Sequence, residues 1–241
     1  MSQLAFGRIN AYRKYELFME RYRSAAEIVR REIPLNHESR FLDVGCGNGI
    51  MKFFFDDHEG TWHGIEEWPE RVACCEKLGY RIARINIDTD AFPYPDESFD
   101  TVFASHVIEH LKDPARALHE CARVLKPGGL LLVATPTKPP FFAGLINGWH
   151  HALPKKLGET QNAFSAPSLR RLVRRALSAD PKTHWRLVDC RGFRLLSCRS
   201  RSTLEDQYWF YRLNTSLARH LTYLVPEVNV IYQKIVSPDS K

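Results

Sequence analysis

The sequence predicts an α/β fold in which a mostly parallel sheet carries helices on both faces. Three observations support this. Short apolar segments alternate with helical segments from residue 40 to residue 136. A glycine-rich turn, GCGNG at 45–49, ends the first apolar segment. The run LLLVA at 130–134 is apolar throughout, which is typical of a parallel strand covered on both faces.

The predicted elements follow in a regular order. An amphipathic helix over 10–32 comes first and is ended by Pro34. Strands are then predicted over 40–45, 61–66, 80–87, 99–105 and 130–136. Helices over 50–57, 69–79 and 113–129 connect them. Asp113 is suited to the N-cap of the last of these helices, because a side-chain oxygen there accepts from free backbone N–H groups.

The pattern changes after Pro136. Residues 136–164 read as an inserted, partly helical segment, and 165–177 as a basic helix with Ser165 as its N-cap. The last strands are predicted over 192–200 and 228–236, separated by an amphipathic segment at 204–224. We therefore expect a single domain with a helical cap (1–36), a ligand-binding core (37–136), a basic, aromatic cover (137–185) and a closing unit (186–241).

The composition of the chain indicates an ordinary globular protein. Of the 241 residues, 44% are hydrophobic and 26% charged, as in ordinary globular proteins. No run approaches the roughly 20 apolar residues that span a bilayer, and the N-terminal residues do not resemble a signal peptide. The six cysteines show no CxxC spacing, so we expect reduced thiols and a cytoplasmic location.

The net charge of +6 is unevenly distributed. Residues 41–136 carry 9 Lys and Arg against 16 Asp and Glu, whereas residues 137–201 carry 13 against 3. The basic segment could meet an acidic partner. Nucleic acid is not the expected one, since no RNA-binding module is recognisable and aromatic residues are not interleaved with the arginines.

Polar groups at three successive strand ends indicate a nucleotide-type ligand. Glycines in the 45–49 turn allow positive φ and a close approach of the backbone to a ligand, next to the free N–H groups of a helix start. Glu66 ends the second strand, where an acid can accept hydrogen bonds from ribose hydroxyls. Asp88 follows the third, where it could meet an adenine amine. The turn alone also fits a dinucleotide-binding protein.

Four stretches together resemble the class I S-adenosylmethionine-dependent methyltransferases. They are FLDVGCGNG, GIEEWPERV, IDTDAFPYPDESFDTVFASHVIEHLKDP and ALHECARVLKPGGLLLVATP. The resemblance covers about residues 38–136 and the last two strands. It implies a Rossmann-like, doubly wound sheet of seven strands in the order 3-2-1-4-5-7-6, with strand 7 antiparallel, and S-adenosyl-L-methionine as cofactor. An NAD-dependent enzyme is the alternative, although the chain lacks the G-x-G-x-x-G that it should offer.

The resemblance also implies roles for individual residues. The methionine part of the cofactor would be held by Asp43, Gly45, Cys46, Gly47, Asn48 and Gly49. The ribose hydroxyls would bind Glu66, with Glu67 and Trp68 flanking the ribose and adenine. The adenine amino group would face Asp88 and Thr89, and the sulfonium would lie beside Ser105 and His106.

The stretch FASHVIEHLKDP carries the candidate catalytic residues His106 and His110. With Glu109 they spell H-x-x-E-H, which alone is a zinc-peptidase signature. Here it follows a strand, and Asp113 starts a new helix almost at once. The stretch is also similar to the E-x-x-E-H of ubiquinone-pathway and small-RNA 2′-O-methyltransferases, where it helps to bind a divalent cation. His106 replaces one carboxylate of that motif, and no metal is expected.

His106 has two interpretations, a general base for a hydroxyl acceptor or a wall of the pocket. Glu109 and His110 could instead fix the start of the following helix. The predicted function is O-methylation of a small-molecule, glycan or lipid-linked acceptor by direct in-line methyl transfer. The alternatives are an N- or C-methyltransferase of a small metabolite and a non-catalytic cofactor-binding partner subunit.

The segment after strand five suggests how the acceptor is covered. It combines large apolar side chains with two lysines: Phe141, Phe142, Leu145, Ile146, Trp149, Lys155 and Lys156. The segment could be a lid over the pocket or an interfacial anchor on anionic lipid. We therefore expect a protein without a transmembrane segment that is cytoplasmic and can contact the inner face of the membrane.

Overall fold

One mixed seven-stranded sheet organises the protein. The structure, a computed structural model, describes residues 14–55, 60–152, 160–193, 195 and 208–235. The strands are β1 (Arg40–Val44), β2 (Thr61–Ile65), β3 (Arg81–Ala83), β4 (Phe99–Ser105), β5 (Leu125–Pro136), β6 (His184–Gly192) and β7 (Glu227–Ile235). The helices are α1 (Lys14–Glu32), α2 (Pro69–Lys77), α3 (Pro114–Val124), α4 (Pro140–Ala152), α5 (Ala166–Leu177) and α6 (Tyr208–His220).

The strand order is β3-β2-β1-β4-β5-β7-β6. Strands β1 to β5 pair in parallel, whereas β7 runs antiparallel to both β5 and β6. This confirms the predicted fold class, order and direction. Because the carboxyl ends of the parallel strands meet at one edge, the residues that follow β1, β2 and β4 come together there.

Apolar side chains cover both faces of the sheet. Alternate residues of β1 point to opposite sides: Leu42 joins the cluster that α3 and α5 cover, and Phe41 joins the cluster under α1 and α2. In the second cluster the ring of Phe41 stacks on Trp62 with centroids 4.6 Å apart. Trp62 in turn stacks on Phe103 at 5.8 Å. The central strands are therefore held rigidly beneath the carboxyl edge.

Helix α1 is fastened to the last two strands. The Asn229 side chain donates from Nδ2 to the carbonyl oxygen of Arg21 at 3.3 Å, and Arg191 donates to the Ser24 hydroxyl at 3.0 Å. Ala25 and Val29 on the same helix are fully buried. The N-terminal helix is thus an integral layer of the fold. Its predicted start at residue 10 lies outside the described residues.

Two predicted elements between β1 and β4 differ in the structure. The helix predicted over 50–57 is a 3₁₀ helix over Ile50–Phe55, and residues 56–57 lie outside the described residues. The ring of Phe55 packs 5.3 Å from Phe41, so tertiary packing decides the conformation of this short segment. Strand β3 ends at Ala83, before the predicted residue 87, because the side chain of Asn86 accepts from the Asp88 N–H at 2.9 Å and forms a turn.

The strand predicted over 192–200 is wrong. The structure forms β6 over His184–Gly192 instead, and residues 194 and 196–200 lie outside the described residues. β6 is an edge strand that pairs with β7 alone and shifts register between Leu187 and Asp189. Several of its side chains remain exposed, so its sequence is polar and its alternation is interrupted. The apolar residues after Gly192 resemble a strand more closely than β6 does, which is why the strand was predicted there.

The remaining helices agree with prediction more closely. α5 begins after Ser165, whose hydroxyl accepts from the Ser168 N–H at 3.3 Å, as predicted for its N-cap. The helix predicted over 113–129 ends at Val124, because β5 already begins at Leu125. In the part of the chain that the structure describes, no helix is both long and apolar enough to cross a bilayer.

Candidate functional site

A cavity of about 630 Å³ opens at the carboxyl edge of β1, β2 and β4. Its volume lies within the roughly 300–1,000 Å³ usual for cofactor and small-molecule sites. Seven of the predicted site residues line it: Gly45, Glu66, Glu67, Trp68, Asp88, His106 and His110. Residues that were not predicted complete the wall: Arg71, Ile85, Asn86, Ile87, Val107 and Leu111.

The glycine turn has the backbone that its sequence predicts. Gly45, Gly47 and Gly49 have φ values of 66°, 56° and 70°, a region that L side chains rarely adopt. A Cβ at Gly45 would lie 2.8 Å from the Val107 side chain, and one at Gly49 2.9 Å from Leu78. A Cβ at Gly47 would meet nothing within 4 Å. The outer two glycines thus permit close packing, and the middle one leaves the backbone open.

Glu66 is a buried carboxylate that joins the first two strand ends. Its Oε2 accepts from the Gly47 N–H at 3.0 Å. Its Oε1 accepts from the N–H groups of Glu67 and Trp68 at 3.0 and 3.1 Å. These bonds fix the carboxylate at the cavity wall. Oε1 already accepts two hydrogen bonds, whereas Oε2 accepts one and retains a lone pair that can accept from a ligand hydroxyl.

Asp88 has one occupied and one available oxygen. Its Oδ1 accepts from the backbone N–H groups of Lys112 at 2.8 Å and Asp113 at 3.3 Å. No described residue hydrogen-bonds its Oδ2, so this oxygen can accept from a ligand amine. The neighbouring Thr89 is exposed and donates its hydroxyl to Asp90 at 2.9 Å. Thr89 does not line the cavity.

Asp43 lies beneath the cavity and does not line it. The side chain is buried, and its Oδ2 accepts from the Tyr80 hydroxyl at 3.3 Å. Burial raises the pKa of Asp43 to about 7, the Tyr80 hydrogen bond opposes this rise, and the charge of Glu66 adds to it. The link of Asp43 to the glycine turn is through Tyr80, whose hydroxyl also lies 3.5 Å from the Gly49 carbonyl oxygen.

Three other predicted cofactor residues, Cys46 and Asn48 in the turn and Ser105 at the end of β4, do not line the cavity. Cys46 is buried, with its sulfur 3.5 Å from that of Cys75. The hydrogen bond to Cys75 and burial together raise the pKa of Cys46. Asn48 is exposed, and Ser105 is partly buried at the end of β4.

His106 follows β4 in a left-handed backbone conformation with φ of 57°. This is uncommon for a residue other than glycine and, when maintained by its surroundings, often marks a functional site. Its N–H donates to the carbonyl oxygen of Ala134 at 2.8 Å, which secures the residue to β5. The imidazole is 28% exposed on the cavity wall.

Two buried side chains from distant elements meet the imidazole of His106. Its Nε2 lies 2.7 Å from Glu227 Oε1 and 2.8 Å from Arg21 Nη1. Arg21 also donates to Glu227 at 2.8 Å. A carboxylate only accepts and a guanidinium only donates, so Nε2 cannot hydrogen-bond both partners at once. With the proton on Nε2, the ring donates to Glu227 and its lone pair is on Nδ1. With the proton on Nδ1, which lies 3.6 Å from Glu109 Oε1, Nε2 accepts from Arg21.

Glu227 keeps its negative charge despite being buried. Burial is the largest influence and acts to raise its pKa. The hydrogen bond from His106 and the positive charge of Arg21 act against burial, and on balance they hold the pKa of Glu227 below its usual value. The ionised carboxylate accepts from Arg21 and can also accept from His106 when Nε2 carries the proton.

Sequence reasoning missed both Arg21 and Glu227. Arg21 lies 85 residues before His106 and Glu227 lies 121 residues after it. A weak signal was present for Arg21, since it shares a helical face with the buried Ala25 and Ile28. A charged residue on a core-facing stripe requires a buried partner, although the sequence does not identify that partner.

Glu109 ties the loop after β4 to the rest of the fold. It is buried, accepts from the Thr135 hydroxyl at 3.0 Å, and its carbonyl accepts from the Gln161 N–H at 2.7 Å. Its Oε1 lies 3.6 Å from His106 Nδ1 and 3.8 Å from His110 Nε2. Among the described residues, no group of three or more His, Cys, Asp or Glu side chains is arranged to hold a metal ion.

His110 shares the cavity wall with His106. Its Nδ1 is buried and has no hydrogen-bond partner in the described part of the chain. A buried polar atom without a partner is unusual.

Comparison with known proteins agrees with this geometry. Residues 42–133 match the family model described as a methyltransferase domain. The match runs from β1 through β5, so it includes the glycine turn, Glu66, Asp88 and the loop carrying His106.

Similar proteins come from several bacteria. The chain is 31% identical over 152 residues to a ubiquinone biosynthesis O-methyltransferase of Cereibacter sphaeroides, covering 59% of this chain and 62% of the relative. It is 34% identical over 122 residues to the 27-O-demethylrifamycin SV methyltransferase of Amycolatopsis mediterranei, covering 47% of this chain and 44% of the relative. The chain thus spans about three fifths or less of the length of these curated relatives.

The fold is similar to that of solved methyltransferases. The structure of an S-adenosylmethionine-dependent methyltransferase of Thermotoga maritima aligns with a TM-score of 0.57 and 21% identity, covering 94% of this chain and 95% of the other. This likeness extends the agreement beyond residue 133, to β6 and β7. Residues 42–133 thus match a methyltransferase domain, and the chain has the fold of solved S-adenosylmethionine-dependent methyltransferases.

Proposed function

We propose that the protein transfers the methyl group of S-adenosylmethionine to an oxygen atom of a small-molecule, glycan or lipid-linked acceptor. The observation that carries the proposal is the imidazole of His106, oriented by the buried Glu227 on the wall of the cavity that also contains Glu66. A carboxylate that fixes one ring nitrogen and leaves the other as a proton acceptor is the arrangement of a general base.

The residues present suit the proposed cofactor. The open Gly47 backbone gives room for a close approach, and Oε2 of the fixed Glu66 carboxylate has a lone pair for a ribose hydroxyl. The available Oδ2 of Asp88 would accept from the adenine amino group. When bound, S-adenosylmethionine supplies an electrophilic methyl group with a neutral thioether as its leaving group.

With its own proton on Nε2, His106 would remove the proton of the acceptor hydroxyl. The proton would move to Nδ1 while Nε2–H remains hydrogen-bonded to Glu227, so the resulting imidazolium would be stabilised by an adjacent negative charge. His110 lies on the same wall and would contact the acceptor. Arg21 would keep Glu227 ionised and in position.

Oxygen is favoured over nitrogen or carbon as the acceptor atom for two reasons. Methyl transfer needs no base for an amine that already carries a lone pair, whereas a hydroxyl is poorly acidic and benefits from one. Two relatives are also described as an O-methyltransferase of ubiquinone biosynthesis and a 27-O-demethylrifamycin methyltransferase. Those names belong to the relatives, and they support an oxygen acceptor here only by similarity.

The direct test is an acceptor screen with S-adenosylmethionine as methyl donor. Phenols, catechols, sugar alcohols, primary amines and thiols are offered separately, release of S-adenosylhomocysteine is measured, and products are identified by NMR spectroscopy. We expect methyl ethers from one hydroxyl class. Products methylated only on nitrogen, carbon or sulfur would contradict the oxygen assignment, and absence of turnover with every class would favour a non-catalytic binding subunit.

A further inference from the structure

Helix α6 presents an apolar stripe to solvent. Trp209, Leu213 and Leu217, four residues apart, are 58%, 50% and 40% exposed, and the opposite face, including Ala218, is buried. Residues at this spacing share one helical face. Just after the helix, Leu224 is 56% exposed. A contiguous apolar face of this kind marks an interaction surface.

The start of α4 extends this apolar surface. Phe141 and Phe142 are 77% and 55% exposed. Thr137, shortly before α4, donates its N–H to the Pro226 carbonyl at 2.8 Å and its hydroxyl to the Val225 carbonyl at 2.7 Å. These bonds bring the beginning of α4 next to the loop that follows α6.

Exposed arginines of α5 border the same loop. Arg170, Arg171 and Arg174 line a cleft of about 210 Å³ together with Tyr223, which lies in that loop. In the described part of the chain, no carboxylate forms an ion pair with these arginines or with the adjacent Arg175. Elsewhere arginines are commonly paired, as in the contact of Arg123 with Glu120 at 2.8 Å.

The sequences of the three helices contain no acidic residue. Pro140–Ala152, Ala166–Leu177 and Tyr208–His220 include six arginines and neither Asp nor Glu. Glu227, the first acid after α6, is buried against His106. Arg219 of α6 pairs with Glu20 at 3.9 Å. The surface therefore combines exposed apolar side chains with positive charge that no described carboxylate pairs on the four arginines of α5.

We propose that this surface, formed by the start of α4, the arginine face of α5 and the apolar stripe of α6, docks on an anionic lipid bilayer. Unpaired arginines are attracted to anionic headgroups, and apolar side chains enter the boundary with the acyl chains. A second copy of the chain is a poorer partner, because a symmetric contact would bring the arginine clusters of two copies together. Nucleic acid would leave the apolar stripe exposed.

The docking surface adjoins the catalytic edge of the sheet. The loop of Tyr223 and Leu224 leads into Glu227, which holds His106. Docking would therefore bring the cavity close to the bilayer and favour an acceptor with a lipid chain. The preference for a lipid-linked acceptor rests on the proposed function, whereas docking on the bilayer does not. Docking is therefore measured as vesicle binding in the absence of methyl transfer.

The test is co-sedimentation of the full chain with vesicles. We expect binding to vesicles of phosphatidylcholine mixed with phosphatidylglycerol, weak binding to phosphatidylcholine alone, and a decrease as salt is raised. Arg171→Glu/Arg174→Glu should weaken binding at least about tenfold, because each basic residue near an anionic surface contributes about 1 kcal/mol. Leu213→Gln/Leu217→Gln should also weaken it, since glutamine retains helix propensity while removing apolar surface.

The matched control reverses two exposed charges at the opposite edge of the sheet, Lys77→Glu/Arg81→Glu, and should leave vesicle binding unchanged. Thermal unfolding of each variant verifies that it is folded. The proposal is overturned by wild-type binding that does not depend on phosphatidylglycerol, or by an equal loss in the control. It is also overturned if sedimentation velocity shows a wild-type dimer that Leu213→Gln/Leu217→Gln converts to a monomer.

Discussion

At the scale of single residues, His106 is defined by groups from three separate elements. β4 delivers the residue to the cavity edge, β7 contributes Glu227, and α1 contributes Arg21. The left-handed backbone at His106 directs the imidazole to this meeting point and is secured by the bond to Ala134. The sequence motif around His106 shows neither partner, so its chemistry depends on the assembled fold.

Replacing His106 tests its role as a base. We expect His106→Ala to lower kcat by about 100-fold or more, since general base catalysis contributes roughly 10²–10⁴. The affinity for S-adenosylmethionine should stay within about twofold, because Glu66 and Asp88 remain in place. Steady-state kinetics with the acceptor found in the screen, together with cofactor titration, measures both quantities. Unchanged kcat would reduce His106 to a wall of the pocket.

Asp43 gives a prediction about stability and pH. The folded state raises its pKa to about 7, whereas the unfolded chain has a value of about 4. Between these values the folded protein binds more protons than the unfolded chain, so this residue makes the free energy of unfolding fall as pH rises. The slope contributed is at most about 1.4 kcal/mol per pH unit.

The comparison with Asp43→Asn isolates this effect. Urea unfolding of both proteins, measured at several pH values inside and above the window, should show a stability difference that shifts towards the variant as pH rises. Other titrating groups are common to both proteins and cancel in the difference. A difference that is constant with pH would mean that Asp43 is ionised in the folded protein throughout this range.

At the scale of elements, the central strands could be predicted and the peripheral ones could not. β1, β2 and β4 are buried and bounded by turn residues, so their apolar runs locate them within about one residue. β6 lies at an edge, where polar residues and a register shift obscure the pattern. β3 is short because the side chain of Asn86 forms a turn, a local effect that a hydrophobic run cannot reveal.

The N-cap of α5 provides a test at this scale. Ser165 and Ser168 form a reciprocal capping box, so Ser165→Ala should destabilise the protein by about 1 kcal/mol. Ser178 at the other end of α5 is exposed and serves as the matched control, and Ser178→Ala should change the free energy of unfolding much less. Urea unfolding measures both. Equal effects of the two substitutions would show that the cap does not determine the start of α5.

At the scale of the whole molecule, charge separates two regions of the chain. The core that carries the cavity is acidic, and its carboxylates at Glu66 and Asp88 are held by backbone N–H groups. The helices after β5 are basic and carry the exposed apolar side chains. The proposed cofactor site and the proposed docking surface thus lie in different parts of the chain.

The candidate site was predictable where its residues follow neighbouring strands. Glu66 comes directly after β2 and Asp88 five residues after β3, so the parallel sheet brings both towards one edge. Asp43 lies in β1 just before the glycine turn, and Cys46 lies within the turn. Both side chains are buried and do not line the cavity, because they point away from it, and the sequence does not show in which direction a side chain points. Arg21 and Glu227 required the three-dimensional structure, because their contacts with His106 span 85 and 121 residues.

The central claim is that the cavity at the carboxyl edge binds S-adenosylmethionine, and isothermal titration calorimetry measures this directly. The protein should bind S-adenosylmethionine saturably at one site. Glu66→Gln should weaken binding at least about tenfold, a loss of about 1.4 kcal/mol. Glu70→Gln, at an exposed position that does not line the cavity, should leave it unchanged. Failure of the wild-type protein to bind, or equal binding by Glu66→Gln, would contradict the account.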